Sequence, residues 1–197
     1  ILHRLVGSEM CIRDSYRGDN FVSSYRRRAF INYGNQPSMQ TGYIFNYFGQ
    51  PWLTQKWVRE VIDEVYSDND PQHGYSGDED QGLMGALCVL MKIGLFEMKG
   101  GAEINPSYDL SSPIFDQITI HLDKDYYQGI NFKIDVLNNS PKNKFIQSVK
   151  LNGKPLNQSW LYHKDLVKGG NLEYVLGEEP NYDWGTALES LPSSMSD

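Results

Sequence analysis

The 197-residue sequence contains only two cysteines, Cys11 and Cys88. Neither has a cysteine or histidine partner at metal-ligand spacing, so no disulfide framework or zinc knuckle is expected. The histidines are also few. His3, His73, His121 and His163 are scattered, which excludes an H-x-x-x-H metal motif. No apolar run approaches the roughly 18 residues of a membrane span. There is no G-x-S-x-G, P-loop or G-x-G-x-x-G, so covalent serine hydrolases and nucleotide or dinucleotide enzymes receive no support. Positive charge is scarce, with 18 bases against 25 acids and a net charge of -7. That balance opposes attraction to a phosphate backbone, and nucleic acid is not an expected partner. The one dense basic cluster, Arg26-Arg27-Arg28, reads as a solvated face.

The remaining composition is that of a globular chain with a real core: 40% hydrophobic and 22% charged. Residues 1–15 show no helical or strand period and no signal-peptide pattern. Leu5 to Ser15 resembles a translated sequencing adapter, so 1–15 is expected to be an artefactual leader and the chain to lack an N-terminal portion of its own. Tyr16 to Phe30 is weakly helical. Tyr33-Gly34-Asn35-Gln36-Pro37 reads as a loop, and Gly42 to Gly49 as two turns of buried helix. Thr54 is a candidate N-cap for a helix to about Tyr66, because Trp57, Val58, Val61, Ile62 and Val65 share a face at 3.6-residue spacing. Leu83 to Phe96 is apolar nearly all round and is expected to be a helix buried on most sides.

After Gly101 the period changes to 2, at Ile118-Ile120-Leu122, Phe132-Ile134-Val136 and Leu172-Tyr174-Leu176. Asn152-Gly153 is a hairpin signal. The expected class is therefore α+β, with helical residues 16–101, a β-rich region over 102–185 and a disordered tail over 186–197.

Between the two helical patterns lies a run of three adjacent acids between glycines, Ser76-Gly77-Asp78-Glu79-Asp80-Gln81-Gly82. Adjacent carboxylates raise one another's pKa unless a cation or a positive dipole compensates. The bland explanation is that Asp78 and Gln81 form a capping box of the D-x-x-Q kind. The other is that the run is the floor of an active site. Spacing alone favours the cap and leaves both open.

The company of this run bears on the choice. Gly34-Asn35-Gln36-Pro37, Tyr47-Phe48-Gly49-Gln50-Pro51-Trp52-Leu53-Thr54-Gln55 and Gly77-Asp78-Glu79-Asp80-Gln81-Gly82 occur in the order and at about the spacing seen in glycoside hydrolase family 92. Ser112-Pro113-Ile114-Phe115-Asp116, Asn138-Asn139-Ser140, Phe145-Ile146-Gln147-Ser148, Leu151-Asn152-Gly153-Lys154, Pro180-Asn181 and Trp184-Gly185 extend the match. From Tyr33 to Gly185 the chain thus resembles the calcium-dependent exo-α-mannosidases. The resemblance implies the last helices of an (α/α)6 barrel followed by an antiparallel β-sheet segment. It also implies inverting hydrolysis of α-mannosides in glycans, as in N-glycan processing, with Asp80 as general base and Asp78 holding the water or its partner. The implied cofactor is Ca2+, with Asp80 and Asn35 among its surroundings. Asn35, Gln36 and Trp52 are the implied sugar contacts, although Trp52 and Trp57 also suit a core.

Two departures qualify the match. Gln36 stands where the family commonly has glutamate, and Ser38-Met39-Gln40 replaces a frequent Ser-His-His. The family segment carrying the general acid has no counterpart in this sequence, since Glu60, Glu64, Glu97 and Glu103 do not fit its motif. The expectation is an α-mannosidase fragment with the base but not the acid, inactive alone, from a secreted or periplasmic parent. The alternative is a non-catalytic carbohydrate-binding or interaction module built on the β-rich half, with its tyrosines, Trp160 and Trp184.

Overall fold

The computed structural model describes Tyr33 and residues 36–67 and 82–193. The expectations for the leader, for 16–30 and for the capping box of Asp78 and Gln81 lie outside these residues, as does the tail beyond Ser193.

A 3-10 turn, Gln36–Ser38, leads into a partly buried 3-10 helix over Thr41–Phe48, where two turns of buried helix were expected. Gly49 ends it at φ 69, a conformation glycine takes without strain. Helix α1 follows at Pro51–Val65. It begins three residues earlier than Thr54 because Pro51 opens it, with φ already set and no amide hydrogen to leave unpaired. Thr54 is therefore not the cap; it is fully buried inside the helix. The predicted stripe holds, and Trp57, Val58, Val61, Ile62 and Val65 are all buried.

Helix α2 spans Leu83–Ile93. Only Met84, Leu87 and Met91 are buried, while Val89 is 58% exposed, so one face alone meets the core. Gly82 is the N-cap at φ 94, and no acid stands in the first turn. The helix stops at Gly94, φ 78, whose amide donates to the Met91 carbonyl. Leu95–Phe96 is then strand β1 rather than a continuing helix.

The remaining strands are β2 (Ser107–Leu110), β3 (Gln117–His121), β4 (Asn131–Leu137), β5 (Phe145–Leu151), β6 (Lys154–Pro155), β7 (Trp160–Tyr162) and β8 (Gly170–Gly177). They form a small antiparallel sheet, β1-β2-β7, and a five-stranded sheet, β3-β4-β8-β5-β6. The larger sheet is mixed, which corrects the antiparallel expectation. Because β8 inserts between β4 and β5, pairing antiparallel with β5 leaves it parallel to β4. The Asn152-Gly153 turn closes the β5–β6 hairpin with φ of 51 and 75, both positive as a type I′ turn requires.

Two apolar cores result. One gathers Tyr43, Phe45, Trp57, Val61, Leu87 and Phe96; the other gathers Leu95, Phe132, Ile134, Ile146, Leu172 and Tyr174. Adjacent residues of β1 thus point to opposite cores, as strand alternation demands. Polar side chains stitch the cores together. Gln55 accepts the Ile146 amide at 2.8 Å, and the Arg59 guanidinium donates to the carbonyls of Pro113 at 2.7 Å and Ser140 at 3.2 Å.

The predicted disorder from Thr186 is not found as far as Ser193. Leu188–Ser190 forms a 3-10 turn, and the Leu191 carbonyl accepts Trp160 Nε1 at 3.0 Å. The indole partner, invisible to composition, is what holds this stretch. Among the described residues the only α-helices longer than a single turn are α1 and α2, and the barrel remains an expectation.

Candidate functional site

Three of the five candidate site residues, Asn35, Asp78 and Asp80, lie outside the described residues. The chain on either side of them is described, and it converges. Tyr33 directly precedes residues 34–35, Tyr66 closes α1 just ahead of 68–81, and Met84 stands in the first turn of α2. The buried Tyr66 hydroxyl donates to the Tyr33 carbonyl at 2.7 Å and lies 3.8 Å from Met84 Sδ. Lys92, one helical face further along α2, donates to the Tyr66 carbonyl at 3.0 Å. Burial pushes the phenol pKa of Tyr66 up, so it remains a donor across the physiological range.

The other two candidates are in view. Gln36 is exposed at the head of its 3-10 turn. Trp52, the second residue of α1, is half-buried and meets the Tyr182 ring edge-on at 5.0 Å. Gln36 and Trp52 share no hydrogen bond or ring contact among the described residues. Trp57 belongs to the core, as its place in the α1 stripe predicted.

The start of α2 bears on how the acidic run is read. Gly82 is the N-cap of α2, no acid stands in the first turn, and Asp78 is four residues upstream of the cap position.

The most perturbed carboxylate among the described residues was not anticipated. Asp109 on β2 is 1% exposed and accepts hydrogen bonds from Asn46 Nδ2 at 3.1 Å and the Tyr47 hydroxyl at 3.3 Å. Burial pushes its pKa up to about 7; the bonds from Asn46 and Tyr47 and the nearby Lys99 pull the other way, and Glu97 adds to the rise. Such a value suits a general base near neutrality. The burial argues otherwise, since no solvent or substrate reaches the group. Asn46 also donates to the Leu110 and Ser159 carbonyls at 3.2 and 3.3 Å, so the cluster ties the 3-10 helix to the small sheet. Sequence could have flagged Asp109 only as an acid in an alternating strand.

Among the described residues no group of three or more His, Cys, Asp or Glu could hold a metal ion.

Comparison with known proteins places this geometry. Residues 12–178 match the model of the glycosyl hydrolase family 92 catalytic domain. An uncharacterized secreted glycosidase of Arthroderma benhamiae is 32% identical over 164 residues, 82% of this chain and 20% of that protein. The family GH92 α-mannosidase BT3965 of Bacteroides thetaiotaomicron superposes with a TM-score of 0.77 at 30% identity, covering 86% of this chain and 22% of that one. The inverting mannosidase BT2199 of the same organism gives 0.73 at 34% identity, covering 83% and 21%.

Proposed function

Since the chain belongs to glycosyl hydrolase family 92, we propose that it contributes the general-base side of an inverting α-mannosidase that hydrolyses mannose-containing glycans. It spans about a fifth of the length of the relatives it matches, so the catalytic unit proposed here is larger than these 197 residues. The observation carrying the reading is the family match over residues 12–178, which takes in both the Asn35 segment and the acidic run before Gly82. The bond from Tyr66 to Tyr33 supports it, because it ties the chain entering the acidic run to the chain entering the Asn35 loop.

In this reading Asp80 takes a proton from water as it attacks the anomeric carbon, and Asp78 keeps that water or its partner in place. Inversion requires room for the water, with acid and base carboxyls roughly 6.5–9.5 Å apart. The general acid comes from elsewhere in the larger unit, and the 197-residue chain alone releases no mannose. The likeness to an inverting mannosidase, and to BT3965 solved in complex with mannoimidazole, supports both the stereochemistry and the sugar. Asn35, Gln36 and Trp52 are assigned to the sugar, Trp52 presenting only the face that Tyr182 leaves free.

Calcium is assigned to oxygen donors of Asp80 and Asn35, in keeping with its preference for carboxylate and amide oxygens. When bound it would grip sugar hydroxyls. The described residues offer no competing cluster. Export from the cell is proposed from the secreted relative.

The test is the configuration of the first-formed sugar when the complete protein cleaves an α-mannoside, followed by proton NMR. β-Mannose is expected; α-mannose formed first would reject inversion.

A further inference from the structure

Away from the acidic run, the segment between β1 and β2 and the edge of β7 enclose an open depression of about 340 Å³ lined by Glu103, Ile104, Asn105, Tyr162 and Ser193. Its size is at the lower end of small-molecule sites. Its walls are fixed rather than loose. Lys99 Nζ donates to Glu103 Oε1 at 2.6 Å and to Ser193 Oγ at 2.9 Å, joining two lining side chains that are far apart in sequence. The Tyr162 ring is braced by the edge of Trp160 at 4.7 Å and by Lys164 Nζ, 4.4 Å from its centroid.

The lining chemistry narrows the ligand. Tyr162 and the fully exposed Ile104 supply apolar surface, while Glu103, Asn105 and Ser193 offer a carboxylate, an amide and a hydroxyl around it. Of the two lysines beside it, Lys99 is paired with Glu103 and Lys164 lies over the Tyr162 ring, so an anion meets no unengaged ammonium. A metal ion is disfavoured because Glu103 is the only acid or histidine among the lining residues. An apolar face ringed by both donors and acceptors suits an uncharged polyhydroxylated ring, whose hydroxyls need both and whose C–H face needs an aromatic or aliphatic partner.

We infer that this depression is a second sugar-binding site, taking one neutral hexose unit of a glycan and holding it apart from the acidic run. The choice of a mannose unit as ligand rests on the proposed α-mannosidase function; the choice of a neutral sugar rests on the lining residues.

The test is titration of the isotope-labelled 197-residue chain with methyl α-D-mannopyranoside, monitored by the amide resonances of Ile104, Asn105 and Tyr162. Saturable shifts at these positions, with an affinity in the millimolar range, are expected for a single exposed sugar. Asn105→Ala, at an exposed position that carries no fold-holding bond, should weaken binding roughly fivefold, the loss of about one hydrogen bond. Tyr162→Ala should abolish it, and Tyr162→Phe, which keeps the braced ring, should retain most of it. Absence of saturable shifts with this sugar, or binding indifferent to both Asn105→Ala and Tyr162→Ala, overturns the site. Because no turnover is measured, either result leaves the hydrolase reading untouched, and failure of that reading would not move these resonances.

Discussion

The Tyr66 hydroxyl donates to the Tyr33 carbonyl at 2.7 Å across 33 positions of sequence, joining the end of α1 to the segment that precedes Gln36. Both residues are 2% exposed, so the carbonyl has no water to fall back on. The bond fixes the spacing of the two entry points to the candidate site.

Tyr66→Phe keeps the ring in the helical core and deletes only the donor. A buried acceptor left without a partner costs roughly 1–3 kcal/mol. The urea midpoint of the 197-residue chain should fall accordingly with an unchanged slope. An unshifted midpoint would mean that the carbonyl finds another donor.

Asp109 makes stability depend on pH in an unusual direction for a carboxylate. Its pKa of about 7 in the folded protein is above the ordinary range, so the native state holds a proton that the unfolded chain releases. The contribution is fully present below the unfolded value of about 4, and it declines as pH rises through about 7. Asp109→Asn keeps an uncharged side chain of similar shape and should flatten that decline. Unfolding free energies measured across this window check it; an identical slope in both proteins would contradict the assignment.

Arg59 ties α1 to two separate segments with one side chain, donating to the carbonyls of Pro113 and Ser140. Its pKa is lowered by burial, with Asp63 opposing, yet an arginine still stays charged. Lysine cannot reproduce the planar fork, and Arg59→Lys should cost roughly 1–3 kcal/mol of unfolding free energy by surrendering at least one carbonyl. Thermal unfolding of the two proteins should show the variant melting earlier.

Much of this architecture could be read before any coordinates. The spacing of Val58, Val61, Ile62 and Val65 specified a buried helical face, and Asn152-Gly153 specified a hairpin, because each pattern has one dominant physical cause. Where two causes compete, the reading went astray. Thr54 is a good capping residue, yet Pro51 opens the helix earlier and Thr54 is buried inside it. Alternation in β4 and β8 reveals strands but not which way a neighbour runs, so their parallel pairing was invisible. The order at Leu191 depends on an indole 31 residues away. For the site, the acidic run and the Asn35 loop were legible as composition. The Tyr66 link between their flanks and the burial of Asp109 depend on tertiary packing that no local pattern encodes.

The central claim is that the aspartates following Gly77 serve catalysis and not the start of α2. Steady-state kinetics of the complete protein with Asp80→Asn, on an α-mannoside, tests it most directly. Loss of a general base should lower kcat by about 10² to 10⁴ with KM little changed, while the unfolding midpoint of the 197-residue chain carrying the same substitution stays where it was. A variant that keeps its kcat but melts earlier would assign Asp80 to the fold and contradict the account.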